Sequence, residues 1–71
     1  MDIRKQVGIN LRRLRLEKGW SQEDMAFESG LHRTYVSGIE RGVRNPTLLI
    51  LEKLATTLGV APAELVAHRR R

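Results

Sequence analysis

The stretch Gln22-Glu23-Asp24-Met25-Ala26-Phe27-Glu28-Ser29-Gly30-Leu31-His32-Arg33-Thr34-Tyr35-Val36-Ser37-Gly38-Ile39-Glu40-Arg41 decides how this chain is read. Ser21 stands just before it, and Asp24 follows three residues later, the spacing of a capping box, so a helix begins near Gln22. Gly30 stops that helix, and a second one spans roughly Arg33 to Arg41, closed by Gly42. Met25 and Ala26 face inward, and Ala26 is small where the two helices cross closely. Gly30 relieves the turn, while Leu31, Val36 and Ile39 complete the apolar contacts.

Two short helices joined by a glycine-containing turn have the length and punctuation of a helix-turn-helix, here residues 22–41. Upstream, Ile3, Val7, Leu11 and Leu14 recur at helical spacing, which predicts a helix from about Ile3 to Lys18, stopped by Gly19. Downstream, Val43 to Pro46 form a loop, because the residue before a proline avoids helical geometry. Thr47 is a good N-cap for a fourth helix ending at Gly59, and Pro62 suits the first position of a short fifth one. His68 to Arg71 form a basic end. Strand alternation is missing, so the expected fold is all-α, a compact five-helix bundle in one domain, residues 1–71.

Length and charge narrow the function. Seventy-one residues leave room for one small core. Thirteen Lys and Arg against eight Asp and Glu give a formal charge of +5, which favours nucleic acid first and an anionic membrane second. Trp20, Phe27 and Tyr35 are the only aromatics, too few for a single-strand stacking platform. Without cysteine there is no disulfide or thiolate zinc site, and His32 and His68 alone are too few to build a metal cluster. The longest apolar run, Leu48 to Leu51, falls far short of a signal or spanning segment, so a cytoplasmic protein is expected. Neither a Ser/His/Asp order nor a Gly-rich phosphate loop is present, and Glu23 and Asp24 point different ways on a helix. An enzyme, a cofactor, a metal or a small-molecule ligand is therefore not expected.

On the second helix of the motif, Val36 and Ile39 lie within about 60° of each other at about 100° per residue. Thr34, Ser37, Gly38 and Arg41 gather opposite them, the stripe that a major groove would meet. Arg33 can make a bidentate contact to guanine, and Thr34 can touch a thymine methyl or a base edge. Tyr35 sits to one side, its hydroxyl available to a phosphate. A mid-helix glycine costs roughly 0.5 to 1 kcal/mol relative to alanine, so Gly38 is expected to permit close approach to DNA. Gln22, at a helix start, can donate to a phosphate, and Arg44 and Asn45 can contact the backbone from the loop. Ordinary solvated side chains are the alternative at each of these positions. Glu40 projects within about 40° of Val36 and would be half buried, so it needs a partner.

Glu17-Lys18-Gly19-Trp20-Ser21-Gln22-Glu23-Asp24-Met25-Ala26 and Arg33-Thr34-Tyr35-Val36-Ser37-Gly38-Ile39-Glu40-Arg41 resemble the Cro and phage-repressor type of helix-turn-helix protein, the XRE family. The match runs from about Val7 to Val66. These segments look closer still to the controller proteins of restriction-modification systems. The resemblance implies a homodimeric transcriptional regulator that reads a roughly palindromic operator in double-stranded DNA. It implies that Arg15 pairs with Glu40, that Gln22 meets a phosphate, and that Trp20 occupies an apolar position. Ser29 departs from the pattern where an apolar or alanine residue is common. His32 departs where a small hydroxyl or carboxylate residue usually caps the helix, although an imidazole can accept from an amide or, protonated, donate to phosphate.

A dimer needs a surface. In the fourth helix Leu48, Leu51, Ala55 and Leu58 form the expected inward stripe, leaving Leu49 and Ile50 to project away from it beside Lys53. With Leu65 and Val66 of the fifth helix they form the expected subunit interface. Ile9, Leu16 and Phe27 also leave the inward faces, as a second patch for another dimer or RNA polymerase, or as a local surface cluster. Competing functions are a prophage- or plasmid-type repressor and an antitoxin-like protein-interaction module. A membrane-surface peptide fits less well, because inward stripes on several consecutive helices imply a core.

Overall fold

The computed structural model describes residues 2–68. Five helices follow one another, α1 (Ile3–Glu17), α2 (Gln22–Ser29), α3 (Arg33–Glu40), α4 (Leu48–Leu58) and α5 (Ala63–Val66), with no strand among the described residues. Lys18 and Arg41 serve as C-caps and Pro62 stands at the N-cap of α5, so three boundaries lie one residue inside the expected ones. Beyond His68 the basic end lies outside the described residues.

Local chemistry accounts for the ends. The Asp24 amide donates to Ser21 Oγ at 3.0 Å and the Ser21 amide to Asp24 Oδ2 at 2.9 Å, which closes the capping box and starts α2. Thr47 Oγ1 accepts from the Ile50 amide at 3.2 Å and starts α4. Gly30 and Gly59 end α2 and α4 with φ of +75° and +74°, a left-handed conformation that a Cβ would penalise.

The core joins Leu11 of α1, Met25 of α2, Val36 and Ile39 of α3, Leu54 of α4 and Leu65 of α5. Helix α1 packs on α3 and α5, and α2 packs on α3 and α4. At the α1–α3 crossing a Cβ on Gly8 would lie 2.5 Å from the Ile39 carbonyl oxygen and 2.6 Å from that of Glu40. Only a glycine lets the two backbones approach so closely, and nothing in the apolar periodicity had singled out Gly8.

Three expectations for the second half of the chain are corrected. Leu48 is 83% exposed and Leu54 fully buried, so the inward stripe of α4 is Leu51, Leu54, Ala55 and Leu58. Leu48 shares that side but lies in the first turn, which no other described element covers. Ile50 is partly buried against the core instead of projecting away from it. Leu65, expected at a subunit interface, is 0% exposed, because the short α5 turns its leucine into the bundle.

Buried amides hold α5 in place. Asn10 Nδ2 donates to the carbonyls of Leu65 and Ala67, each at 2.8 Å, and Gln6 Nε2 donates to Asn10 Oδ1 at 3.1 Å. Such pairing is what makes a buried amide tolerable. Ser29 is buried too, and its hydroxyl donates to the Ala26 carbonyl at 3.3 Å, so the polar atom at this departure from the family pattern is satisfied. Trp20 is partly buried against the core.

Candidate nucleic-acid interface

Helix α3 has two sides with opposite surroundings. Val36 and Ile39 sink into the core, while Arg33, Thr34 and Arg41 stand exposed and Ser37 and Tyr35 are half-buried. Arg44 and Asn45 follow in the next loop, also exposed. Among the described residues no carboxylate lies within ion-pair distance of Arg33, Arg41 or Arg44; the ion pairs are Arg4–Asp2, Arg13–Glu17 and Arg15–Glu40. An exposed helix side carrying uncompensated guanidinium groups can meet an anion without first breaking an internal pair.

His32 occupies the N-cap of α3, but its side chain makes no capping hydrogen bond. The first amides of α3 are therefore left without a side-chain acceptor. Nearby, the Arg44 guanidinium carbon lies 5.9 Å from the centre of the Tyr35 ring. The Arg44 stem runs across Gly38, where a Cβ would come within 2.5 Å of Arg44 Cγ. Gly38 is thus covered by this chain's own arginine. The space left by its missing side chain, expected to admit DNA, is occupied here by that arginine.

Behind this side sits the ion pair that the resemblance implied. Arg15 Nε donates to Glu40 Oε2 at 2.7 Å and Nη2 to Oε1 at 3.0 Å, while Nη1 donates to the Trp20 carbonyl at 2.7 Å. The two side chains are 7% and 4% exposed. Hydrogen bonding to Glu40 raises the Arg15 pKa above its ordinary value despite the opposing effect of burial. Gln22 Nε2 donates to Glu40 Oε1 at 3.1 Å, so the amide expected at a phosphate is engaged inside the protein. The position that offers a helix-start donor also faces the carboxylate of the next helix, which the linear sequence does not reveal.

The apolar surfaces are regrouped. Leu48 and Leu49 of α4 and Pro62, Ala63 and Val66 beside and on α5 line one groove. Ile50, Lys53 and Leu65 do not line it. The Lys53 ammonium instead lies near the motif turn, 3.7 Å from where a Gly30 Cβ would be. Ile9 and Leu16 form a second patch with Arg12, Arg13 and Glu17 along α1. Phe27, 84% exposed on α2, is not part of that patch. The unbroken run Leu48-Leu49-Ile50-Leu51, more apolar than one inward stripe needs, was the available signal for Leu48. Among the described residues no group of His, Cys, Asp or Glu could hold a metal ion, and no helix is long and apolar enough to cross a membrane.

A family model described as helix-turn-helix matches residues 11–65. The chain is 53% identical over 66 residues to the uncharacterized HTH-type transcriptional regulator y4dJ of Sinorhizobium fredii, covering 93% of this chain and 86% of that protein. It is 50% identical over 66 residues to the control protein C.BamHI of Bacillus amyloliquefaciens, covering 92% and 82% respectively. Among solved structures, the restriction-modification controller protein C.Esp1396I, a tetramer in complex with its natural 35 base-pair operator, superposes with a TM-score of 0.82 at 42% identity. That superposition covers 92% of this chain and 86% of the other.

Proposed function

The chain belongs to the helix-turn-helix family, and on that premise we propose that it regulates transcription by binding a specific double-stranded DNA operator as a homodimer. The observation that carries this reading is the exposed side of α3 and the loop after it, where Arg33, Arg41 and Arg44 have no carboxylate partner among the described residues. Arg33, in the first turn, contacts guanine in the major groove, with Thr34 and Ser37 beside it. Arg41, Arg44, Asn45 and His32 contact the phosphate backbone, which fixes register without reading sequence.

One such helix reads only a few base pairs, so two copies facing the same side of the duplex read a palindrome with half-sites about 34 Å apart. The groove between α4 and α5 is the surface for the second copy, with Leu48, Leu49 and Val66 among its lining residues. The likeness to C.BamHI and C.Esp1396I supports a controller role, timing an endonuclease against its methyltransferase. Bound near a promoter, the dimer excludes or recruits RNA polymerase, and protein concentration sets its occupancy.

Repeated selection of bound molecules from a pool of random duplexes tests the reading. Enrichment of one inverted repeat is expected. Salt-sensitive retention of all sequences alike would point instead to a protein-interaction module with incidental affinity for DNA.

A further inference from the structure

A glycine in the middle of a short helix is a cost that a fold of this size rarely carries without reason. Gly38 has a reason visible in the structure, and it lies in the loop that follows the helix. The Gly38 carbonyl accepts from the Val43 amide at 3.0 Å and from the Arg44 amide at 3.2 Å, so the chain turns back over the last turn of α3. The Arg44 stem then lies against the Gly38 backbone. An added Cβ there would be 2.5 Å from Cγ, 3.2 Å from Nε and 3.4 Å from Cδ. The guanidinium continues over the face of Tyr35, 5.9 Å from the ring centre. One side chain is thus laid along the exposed side of α3 by a carbonyl, a missing methyl and an aromatic ring.

We propose that Gly38 is a positioning residue for DNA binding: it seats Arg44 along α3 so that its guanidinium is already held over the Tyr35 ring, on the flank of the exposed side, when the duplex arrives. Arginine otherwise surrenders several rotatable bonds on binding, and holding it in place beforehand removes that loss from the affinity. The contact at Cγ is near the root of the side chain, so a methyl at position 38 cannot be avoided by a shift of the guanidinium alone. The whole stem must swing off the helix. Tyr35 then loses its cation, and Arg44 becomes an ordinary mobile surface arginine.

This inference rests on the proposed role of Arg44 as a DNA contact, and one set of four proteins separates the two. Wild type, Gly38→Ala, Arg44→Ala and the double variant are titrated against a duplex selected by the wild-type protein and against a random-sequence duplex, across a salt series. Thermal melts accompany each titration. Gly38→Ala is expected to melt at or above the wild-type temperature, since alanine favours the helix. It is expected to bind both duplexes about 2- to 12-fold more weakly per protomer, the cost of ordering one freed side chain. Its salt slope stays at the wild-type value because the cation is still present, whereas Arg44→Ala lowers the slope by about 0.9 per protomer. In the Arg44→Ala background the added methyl changes nothing. Unaltered binding by Gly38→Ala would overturn the inference. So would a further loss in the double variant equal to that in the single one, because Gly38 would then act on the DNA itself. Arg44→Ala binding like wild type would overturn the DNA role of Arg44, and the inference with it.

Discussion

Arg15 and Arg33 are the same residue type on neighbouring helices, and they meet opposite fates. Arg15 is buried behind α3 and spends its donors on Glu40 and the Trp20 carbonyl. Arg33 stands on the open side of α3 with no ion pair among the described residues. The difference is the work each side of the helix does. Behind, charge is fully paired because an unpaired buried ion is expensive, and the pairing ties α1, the following turn, α2 and α3 into one unit. In front, charge is left unpaired among the described residues, and under the proposed function its partner comes from DNA.

The closed side should break most dramatically. Glu40→Ala leaves the Arg15 guanidinium buried without its carboxylate and is expected to cost about 3 to 5 kcal/mol in urea unfolding, with Arg15→Ala doing similar harm. The double variant should lose much less than the sum of the two. Strict additivity would show that the two groups do not act together and would end the contrast between paired and unpaired arginines.

A smaller effect on folding, though a large one on binding, is expected at the α4–α5 groove. Replacing Leu48 and Leu49 together with glutamine should move the protein toward monomer and reduce affinity for a selected palindrome about 100-fold or more, because two linked half-site bindings become independent. Helix content should be preserved, since Leu48 and Leu49 are outside the core. Sedimentation and circular dichroism must be measured together. A variant that stays dimeric at low micromolar concentration would transfer the interface to the Ile9 and Leu16 patch of α1.

The smallest effect concerns an exposed pair. Arg4 donates to Asp2, first through its side chain and then through its amide, and holds the Asp2 carboxyl below its ordinary value of 3.8. A depressed carboxylate contributes its stability above the unfolded pKa and loses it as pH falls through the folded one. Asp2→Asn, which keeps a capping oxygen but not the charge, should therefore differ slightly from wild type near neutral pH and converge with it once the pH has fallen through the lowered folded-state pKa. A gap in melting temperature that persists unchanged at pH 2 would assign the effect to capping alone.

Periodicity and punctuation made most of the bundle legible. Ser21 and Asp24, Gly30, Thr47 and Gly59 mark helix ends through local chemistry, and local chemistry is what a sequence displays directly. Glu40 could be recognised as needing a partner from its angular position beside Val36, although only the family likeness pointed to Arg15. Leu48, Ile50 and Leu65 were misassigned, and Leu54 was passed over, because which turn of a helix is covered depends on the length and direction of its neighbours. Gln22, Gly8 and Gly38 were opaque for a related reason. Each is explained by a contact from another element, Glu40 to Gln22, the α3 carbonyls to Gly8 and the Arg44 stem to Gly38.

The division of labour across α3 is tested most directly at Arg33. For wild type and Arg33→Ala, the affinity for the selected duplex is measured against the same duplex altered at each guanine of the half-site, with urea midpoints recorded in parallel. Arg33→Ala is expected to unfold like wild type and to lose about 1 to 3 kcal/mol of discrimination at one guanine per half-site. Equal weakening on every sequence, selected or random, would contradict the account, because the open side of α3 would then supply charge to the backbone without reading the bases.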